Sequence, residues 1–212
     1  MISTIFKGAI FLFGYALLAF FLSIFFGPYF INYLKKMHFG QSIREDGPES
    51  HLVKTGTPTT GGIIFLVPIL ILSLTLDWSY ELFTMILLMI GFGLVGFLDD
   101  FIKIAFKRNL GFTAKQKLIA QIVISIGAFF LLYKDGLDST LTIPGTSFSF
   151  DIFFIGYFVF FLFLSLGTTN ATNLTDGLDG LLSGLAVLSY SAFGVIALFQ
   201  ENNTIATFCF IV

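Results

Sequence analysis

Two adjacent aspartates, Asp99 and Asp100, stand at the end of an apolar run near the middle of the chain, and Lys103 follows them. Adjacent carboxylates repel each other unless a cation lies close by, and an apolar helix rarely carries such a pair without a metal or proton-transfer role. Magnesium binds one or two carboxylates together with substrate phosphates. The pair therefore predicts a Mg²⁺ site, with Lys103 one helical turn along on the same face. The alternative, a simple cap of a helix end, is disfavoured by the helix dipole.

A second group of polar residues spaces amides and carboxylates three residues apart: Asn170, Asn173, Asp176 and Asp179. If this stretch is helical, its polar side chains share one face. We expect these carboxylates, together with Asp99 and Asp100, to act on a metal ion or to accept a proton. A polar loop in which Asp176 caps the next helix is the alternative.

A third group precedes an apolar segment and contains Lys54, Thr57 and Thr59 followed by Gly61 and Gly62. Backbone N–H groups at a helix start, hydroxyls and a cation together suit an anionic ligand. A solvated loop with a turn and a threonine cap would use the same residues. Lys115 adds positive charge that suits a phosphate beyond the Asp99 pair.

The elements that position these residues are predicted to be membrane-spanning helices. The chain is 56 % hydrophobic and only 11 % charged, with a mean hydropathy of +0.94, whereas soluble domains carry about 25 % charged residues. This composition excludes a soluble globular domain. We expect a single all-α, polytopic transmembrane domain over 1–212, with about six spans. The apolar segments lie at 5–34, 61–76, 83–98, 118–133, 152–167 and 180–199, and a seventh run begins at 205.

The basic residues predict which ends of the spans face the cytoplasm. Four of the eleven lie between the first and second spans, and five lie between the third and fourth. Because such loops face the cytoplasm, parity places the connection at 168–179 there as well. On the opposite side, alternating residues around Pro144 and Gly145 predict a small β-hairpin near 139–151.

Four motifs follow one another along the chain, beginning at Gly47 (GPESH), Lys54 (KTGTPTTGG), Leu98 (LDDFIK) and Asn170 (NATNLTDGLDG). They resemble the motifs of the phospho-N-acetylmuramoyl-pentapeptide-transferase family, within the polyprenyl-phosphate sugar-1-phosphate transferases. The resemblance runs through nearly the whole chain, although Thr60 departs from the more usual Met.

The resemblance implies transfer of phospho-MurNAc-pentapeptide from UDP to undecaprenyl phosphate, giving lipid I and UMP with Mg²⁺ as cofactor. It implies a multi-pass protein of the bacterial inner membrane with its active site on the cytoplasmic face. Its partners would be UDP-MurNAc-pentapeptide, undecaprenyl phosphate, the bilayer and a second copy in a homodimer, with no nucleic acid. By motif position, Asp99, Asp100 and Asp176 would be the catalytic and metal-binding residues. Phosphate and nucleotide binding would involve Lys54, Thr57, Thr59, Lys103, Lys115, Asn170, Asn173 and Asp179.

The family has about ten spans and further essential residues in its second half. The chain thus resembles the amino-terminal part of such an enzyme, ending inside a helix, and we expect the 212 residues alone to be inactive.

Three other functions are consistent with clustered carboxylates. A related undecaprenyl-phosphate GlcNAc-1-phosphate transferase is disfavoured by the motif at Gly47 and by the GTPT sequence that begins at Gly56, which resemble the muramoyl branch. An intramembrane prenyltransferase is disfavoured because Lys103, instead of another aspartate, follows the pair. A transporter would hold its ion sites near the bilayer midplane, whereas these residues lie at helix ends.

Overall fold

The computed structural model describes residues 2–36, 59–106 and 111–212. Within those ranges the chain forms seven helices and one two-stranded antiparallel sheet. The elements are α1 (Ile2–Lys36), α2 (Ile63–Ser73), α3 (Tyr80–Ala105), α4 (Ala114–Lys134), β1 (Thr140–Thr142), β2 (Ser149–Asp151), α5 (Phe153–Thr175), α6 (Leu181–Phe199) and α7 (Asn203–Ile211).

Five of these helices, α1, α3, α4, α5 and α6, are long and apolar enough to cross a membrane. The prediction of an all-α, multi-pass membrane protein is confirmed at this level. The predicted count of six spans is not confirmed, because α2 has 11 residues. A helix of that length rises about 16 Å, roughly half of a bilayer core. The seventh apolar run forms the nine-residue helix α7.

The outer surface of α5 shows the environment that these helices require. None of its residues is buried, and Phe153, Ile155 and Phe163 are all more than 70 % exposed. Soluble monomers rarely expose continuous apolar patches of more than a few hundred Å². A face of this kind requires lipid or further protein as its neighbour.

Five pairs of helices form the main packing contacts among the described residues. α1 packs against α2 and α7, α3 against α4, α4 against α5, and α6 against α7. The main apolar core lies where α1, α2, α3 and α7 meet, and includes Ile69, Leu82 and Phe208. Between α4 and α5, the Phe129 ring packs edge-to-face on Phe158, with centroids 4.9 Å apart.

Contacts between neighbouring helices show which helix ends lie together. The Tyr15 hydroxyl in the first half of α1 lies 2.8 Å from the Thr75 hydroxyl, which follows α2. Near the other end of α1, Gly27 faces Ile64 in the first turn of α2, and Gly93 in the second half of α3 faces Leu66. The start of α2 and the C-terminal halves of α1 and α3 therefore lie at one end of the molecule.

The predicted β-hairpin is confirmed, with Thr140 opposite Asp151 and Leu141 opposite Phe150. Its turn follows from Pro144 and Gly145. The Thr146 N–H donates to the Ile143 carbonyl at 3.1 Å, and Gly145 has a φ of +81°. Proline followed by a residue of positive φ makes a type II turn, which explains the glycine.

The predicted C-terminal ends of α3 and α5 are wrong, and both ends carry polar residues of the candidate site. α3 continues past the predicted end at 98 to Ala105, so Asp99 and Asp100 lie within the helix. α5 continues past 167 to Thr175, so Asn170 and Asn173 are helical and the connection to α6 is only 176–180. In both helices, polar residues form the last turns as readily as apolar residues do. The point where hydrophobicity falls is therefore not the point where the helix ends.

We expect Gly91→Ala to destabilise the packing of α3 on α4. A Cβ on Gly91 would lie 2.7 Å from Ile124 Cγ2, and that methyl group is fixed on the branched Cβ of isoleucine. Overpacking of this kind costs about 1–3 kcal/mol. The measurement is the unfolding temperature of the detergent-solubilised protein.

The matched control is Gly96→Ala on the same helix, where a Cβ meets nothing within 4 Å. Because alanine favours helix over glycine by about 1 kcal/mol, this control should be neutral or stabilising. Equal unfolding temperatures for the two variants would contradict the close contact of α3 with α4.

Candidate active site

The carboxylate of Asp99 lies at the centre of the candidate site and is only 4 % exposed. Its Oδ2 forms two ion pairs, with Lys103 Nζ at 2.7 Å and with Lys117 Nζ at 3.0 Å. Its Oδ1 accepts a hydrogen bond from the Phe112 backbone N–H at 2.7 Å. Burial of a carboxylate is tolerated when charged partners and hydrogen bonds compensate for lost water. Both Asp99 oxygens are compensated in this way.

The neighbouring Asp100 has a different environment. Its Oδ1 lies 3.0 Å from Lys103 Nζ, and its side chain is 27 % exposed. In the described part of the chain, its Oδ2 has no ion pair. Lys103 therefore bridges the two adjacent carboxylates and reduces their mutual repulsion, as its spacing predicted. With Lys117, the four side chains have balanced formal charges.

The start of α4 is fixed by a reciprocal cap, which places Lys117 beside Asp99. The Thr113 hydroxyl accepts from the Gln116 backbone N–H at 3.3 Å, and the Gln116 side chain accepts from the Thr113 N–H at 2.8 Å. This capping box satisfies two N–H groups that a helix start leaves without partners. Lys117 follows in the first turn and reaches across to α3.

Gly111 allows the connection before α4 to approach Asp99 closely. A Cβ at this position would overlap the Asp99 Oδ1 and lie 2.5 Å from the Asp99 carbonyl oxygen. A larger residue would move the backbone away and break the hydrogen bond from the next N–H, that of Phe112. The glycine is therefore needed for close approach.

A second polar contact joins α4 to α5. Asn170 Nδ2 donates to Gln121 Oε1 at 3.1 Å and to the Leu166 carbonyl at 2.8 Å. Gln121 lies one helical turn after Lys117, so both face the same side of α4. Through these two residues, the first half of α4 contacts the predicted catalytic segment of α3 and the predicted nucleotide segment of α5.

The remaining predicted residues lie at the same end of the helices or outside the described residues. Asn173 is exposed in the last turn of α5, Asp176 is the C-terminal cap of that helix, and Asp179 lies in the short connection to α6. Gly180, with a φ of +84°, precedes α6. Lys54 and Thr57 lie outside the described residues.

Thr59 and Lys115 are described, and neither uses its polar group in a described contact. The Thr59 Oγ1 is buried and has no hydrogen-bond partner within residues 2–36, 59–106 and 111–212. The next residue, Thr60, has a φ of +64°, a strained conformation for a β-branched residue. Lys115 is exposed in the first turn of α4. The structure thus brings Asp99, Asp100 and Lys103 together with Lys117 instead of Lys115.

The donor set allows a limited test of whether Mg²⁺ fits. In the described ranges, no three His, Cys, Asp or Glu side chains group together closely enough to hold a metal. Magnesium does not require such a cage, since it commonly uses one or two carboxylates and takes its other ligands from water and substrate phosphates. The partly exposed Asp100, with Oδ2 outside the ion pairs, fits that pattern.

Three contributors to this site, Lys117, Gln121 and Gly111, had no assigned role in the sequence analysis. The sequence contains a pattern that could have identified two of them. Lys117, Gln121 and the buried Ser125 recur every four residues in an otherwise apolar helix, which predicts one polar face. For Gly111, no local pattern distinguishes a required glycine from a permitted one.

Comparisons with known proteins show which family the chain belongs to. Residues 82–212 match the model of a family described as glycosyl transferase family 4. A phospho-N-acetylmuramoyl-pentapeptide-transferase from Bacillus cytotoxicus is 46 % identical over 196 residues, which is 90 % of this chain and 60 % of that protein. The protein of the same name from Geobacillus sp. strain WCH70 is 46 % identical over 91 % of this chain and 61 % of its own length.

A third relative of that name, from Bacillus thuringiensis strain Al Hakam, is 48 % identical over 90 % of this chain and 60 % of its own length. The chain thus spans about 60 % of the length of these relatives. The family match covers more than half of the chain and includes Asp99, Lys117 and Asn170. The chain belongs to glycosyl transferase family 4.

Proposed function

We propose that the protein transfers phospho-MurNAc-pentapeptide from UDP to undecaprenyl phosphate and releases UMP. The names of its bacterial relatives support this reaction. The observation that carries it is the charged group formed by Asp99, Asp100, Lys103 and Lys117 at one end of long apolar helices. A lipid phosphate has its chain in the bilayer and its charge at the surface. An enzyme that joins it to a water-soluble nucleotide sugar needs charged groups at helix ends.

The proposed location is the cytoplasmic face of the bacterial inner membrane. The distribution of Lys and Arg between the predicted connections supports this orientation, because basic loops stay in the cytoplasm. The ion pair of Lys117 with Asp99 and the hydrogen bond of Asn170 with Gln121 support a common side for the proposed site residues of α3, α4 and α5. A homodimer remains a prediction.

The proposed cofactor is Mg²⁺, and its proposed ligands are Asp100 and Asp176. Asp99 lies beside Asp100 and shares the Lys103 ion pair with it. Bound Mg²⁺ would neutralise charge on the diphosphate of the nucleotide sugar. The partial exposure of Asp100 and the engagement of only its Oδ1 by Lys103 support this role. Asp99 has both oxygens engaged, so its contribution would be to hold Lys103 and Lys117 in position.

The reaction needs no strong base from the protein. The lipid phosphate is a monoester with a second pKa near 6, so most of it carries both charges at neutral pH. One of its oxygens would attack the sugar-linked phosphorus, and the bond from that phosphorus to the UMP oxygen would break. Phosphoryl transfer depends mainly on positioning and charge stabilisation. Proposed phosphate and nucleotide contacts are Lys54, Thr57, Thr59, Lys103, Lys115, Asn170, Asn173 and Asp179.

The first test is a transferase assay on the intact gene product in detergent. With UDP-MurNAc-pentapeptide, undecaprenyl phosphate and Mg²⁺, we expect lipid I and UMP, and we expect chelation of Mg²⁺ to stop turnover. UDP-GlcNAc at the same concentration should compete weakly. Transfer of GlcNAc-1-phosphate instead would assign the protein to the sister activity, and absence of both products would refute the proposal.

A second prediction separates the roles of the two aspartates. Asp100→Asn should lower kcat at least about 100-fold while the unfolding temperature stays close to that of the wild type, since this side chain is partly exposed. Asp99→Asn should lower activity and also stability, by about 3 kcal/mol, because two lysines lose their buried partner. The measurements are lipid I formation and thermal unfolding.

Asp77→Asn is the matched control, since Asp77 is exposed and precedes α3 at its opposite end. It should change neither quantity. If Asp99→Asn kept the wild-type unfolding temperature, the structural part of its assigned role would be wrong.

A third prediction concerns the connection before α4. Gly111→Ala should lower both the unfolding temperature and transferase activity, because its Cβ would displace the segment that donates to Asp99. Gly167→Ala, on a surface of α5 where a Cβ meets nothing within 4 Å, should leave activity unchanged and the unfolding temperature equal or higher, because alanine favours a helix over glycine. Matching results for the two variants would show that Asp99 does not need this close approach.

A further inference from the structure

The contact between Gln121 and Asn170 has a feature that helix packing does not explain. Gln121 is only 6 % exposed, and its carboxamide lies within a helix that is apolar over most of its length. Burying an amide is unfavourable unless it is hydrogen-bonded. An apolar side chain of the same length would fill the space without that requirement. The amide therefore points to a role for the hydrogen bond itself.

The partners of Asn170 fix the orientation of its carboxamide. The Leu166 carbonyl can only accept, so the Asn170 atom 2.8 Å from it must be the nitrogen. The same nitrogen donates its second hydrogen to Gln121 Oε1. Both donors are thus used within the protein. No hydrogen bond to Asn170 Oδ1 occurs among the described residues, and the side chain is exposed.

We propose that Gln121 is a positioning residue, which holds the Asn170 carboxamide so that its Oδ1 is presented as an acceptor to the nucleotide sugar. This inference rests on the proposed transferase function. Gln121 does not contact substrate in this assignment. It acts through Asn170, whose oxygen would accept a hydrogen bond from a donor on the nucleotide.

The position of Gln121 on α4 supports this role. Lys117, one turn earlier on the same face, holds the Asp99 carboxylate of α3. Gln121 holds the amide of α5. The packing of α4 on α5 also has an independent apolar basis in the contacts of Phe129 with Phe154 and Phe158. The amide pair is therefore available to set the direction of one side chain instead of joining the helices.

The test compares two substitutions of Gln121 in the intact gene product. Gln121→Met keeps the length and removes the acceptor, whereas Gln121→Glu keeps an oxygen that can accept from Asn170. We expect the Met variant to lose about tenfold to 100-fold in kcat/KM, the scale of a misplaced binding group. The Glu variant should recover most of that loss. A purely packing role would favour Met over Glu.

The matched control is Ser125→Ala. Ser125 is buried on the same face of α4, one turn further, and its hydroxyl donates to the Gln121 backbone carbonyl at 2.8 Å. This variant should keep wild-type kcat/KM. Adding Asn170→Ala to Gln121→Met should cause no loss beyond that of Asn170→Ala alone, because both remove the same oriented group.

A second measurement, the affinity for UMP, separates failure of this inference from failure of the proposed reaction. If the wild type turns over the proposed substrates and Gln121→Met has the same kcat/KM, the inference is wrong and the proposed reaction stands. If the wild type binds UMP without turning over the proposed substrates, the reaction is wrong. Weaker UMP binding by the Met variant than by the Glu variant would then support the inference, and equal binding would overturn it. Absence of both turnover and UMP binding in the wild type would overturn both.

Discussion

The buried carboxylate of Asp99 is the interaction on which the described site depends. Lys103 on its own helix, Lys117 on the next helix and the Phe112 N–H between them all converge on its two oxygens. A buried charge is tolerated only while such partners stay in place. The end of α3, the start of α4 and the segment before α4 must therefore keep one arrangement. This constraint fixes the positions of the charged side chains relative to one another, although they lie near the ends of helices.

The phase of α4 decides which residues can meet these partners. The capping box at Thr113 sets where the helix begins, and each residue turns the helix by about 100°. A shift of one residue would take Lys117 away from Asp99 and Gln121 away from Asn170. The close packing of α3 at Gly91 against Ile124 fixes the same pair of helices further along. A local cap and a glycine contact thus position side chains from three helices.

Much of this arrangement could be predicted from the sequence, because it depends on local patterns. Apolar runs predicted the long helices, Pro144 and Gly145 predicted the hairpin, and the spacing of Lys103 predicted its contact with the aspartates. The ends of α3 and α5 were wrong because polar residues continue a helix without changing its geometry. The choice of Lys117 over Lys115 depends on how α4 faces α3. The Gln121–Asn170 contact joins residues 49 positions apart, which no local pattern reveals.

The charge balance of the group bears on how a substrate would bind. Asp99 interacts with two ammonium groups, whereas Asp100 shares only one of them. An incoming cation is therefore attracted to Asp100 more than to Asp99. An incoming diphosphate finds both lysines already engaged, so it binds more favourably with a cation that compensates its charge. Under the proposed function, the metal and the nucleotide sugar would for this reason bind together. The separation of roles between two adjacent aspartates follows from which of them is buried.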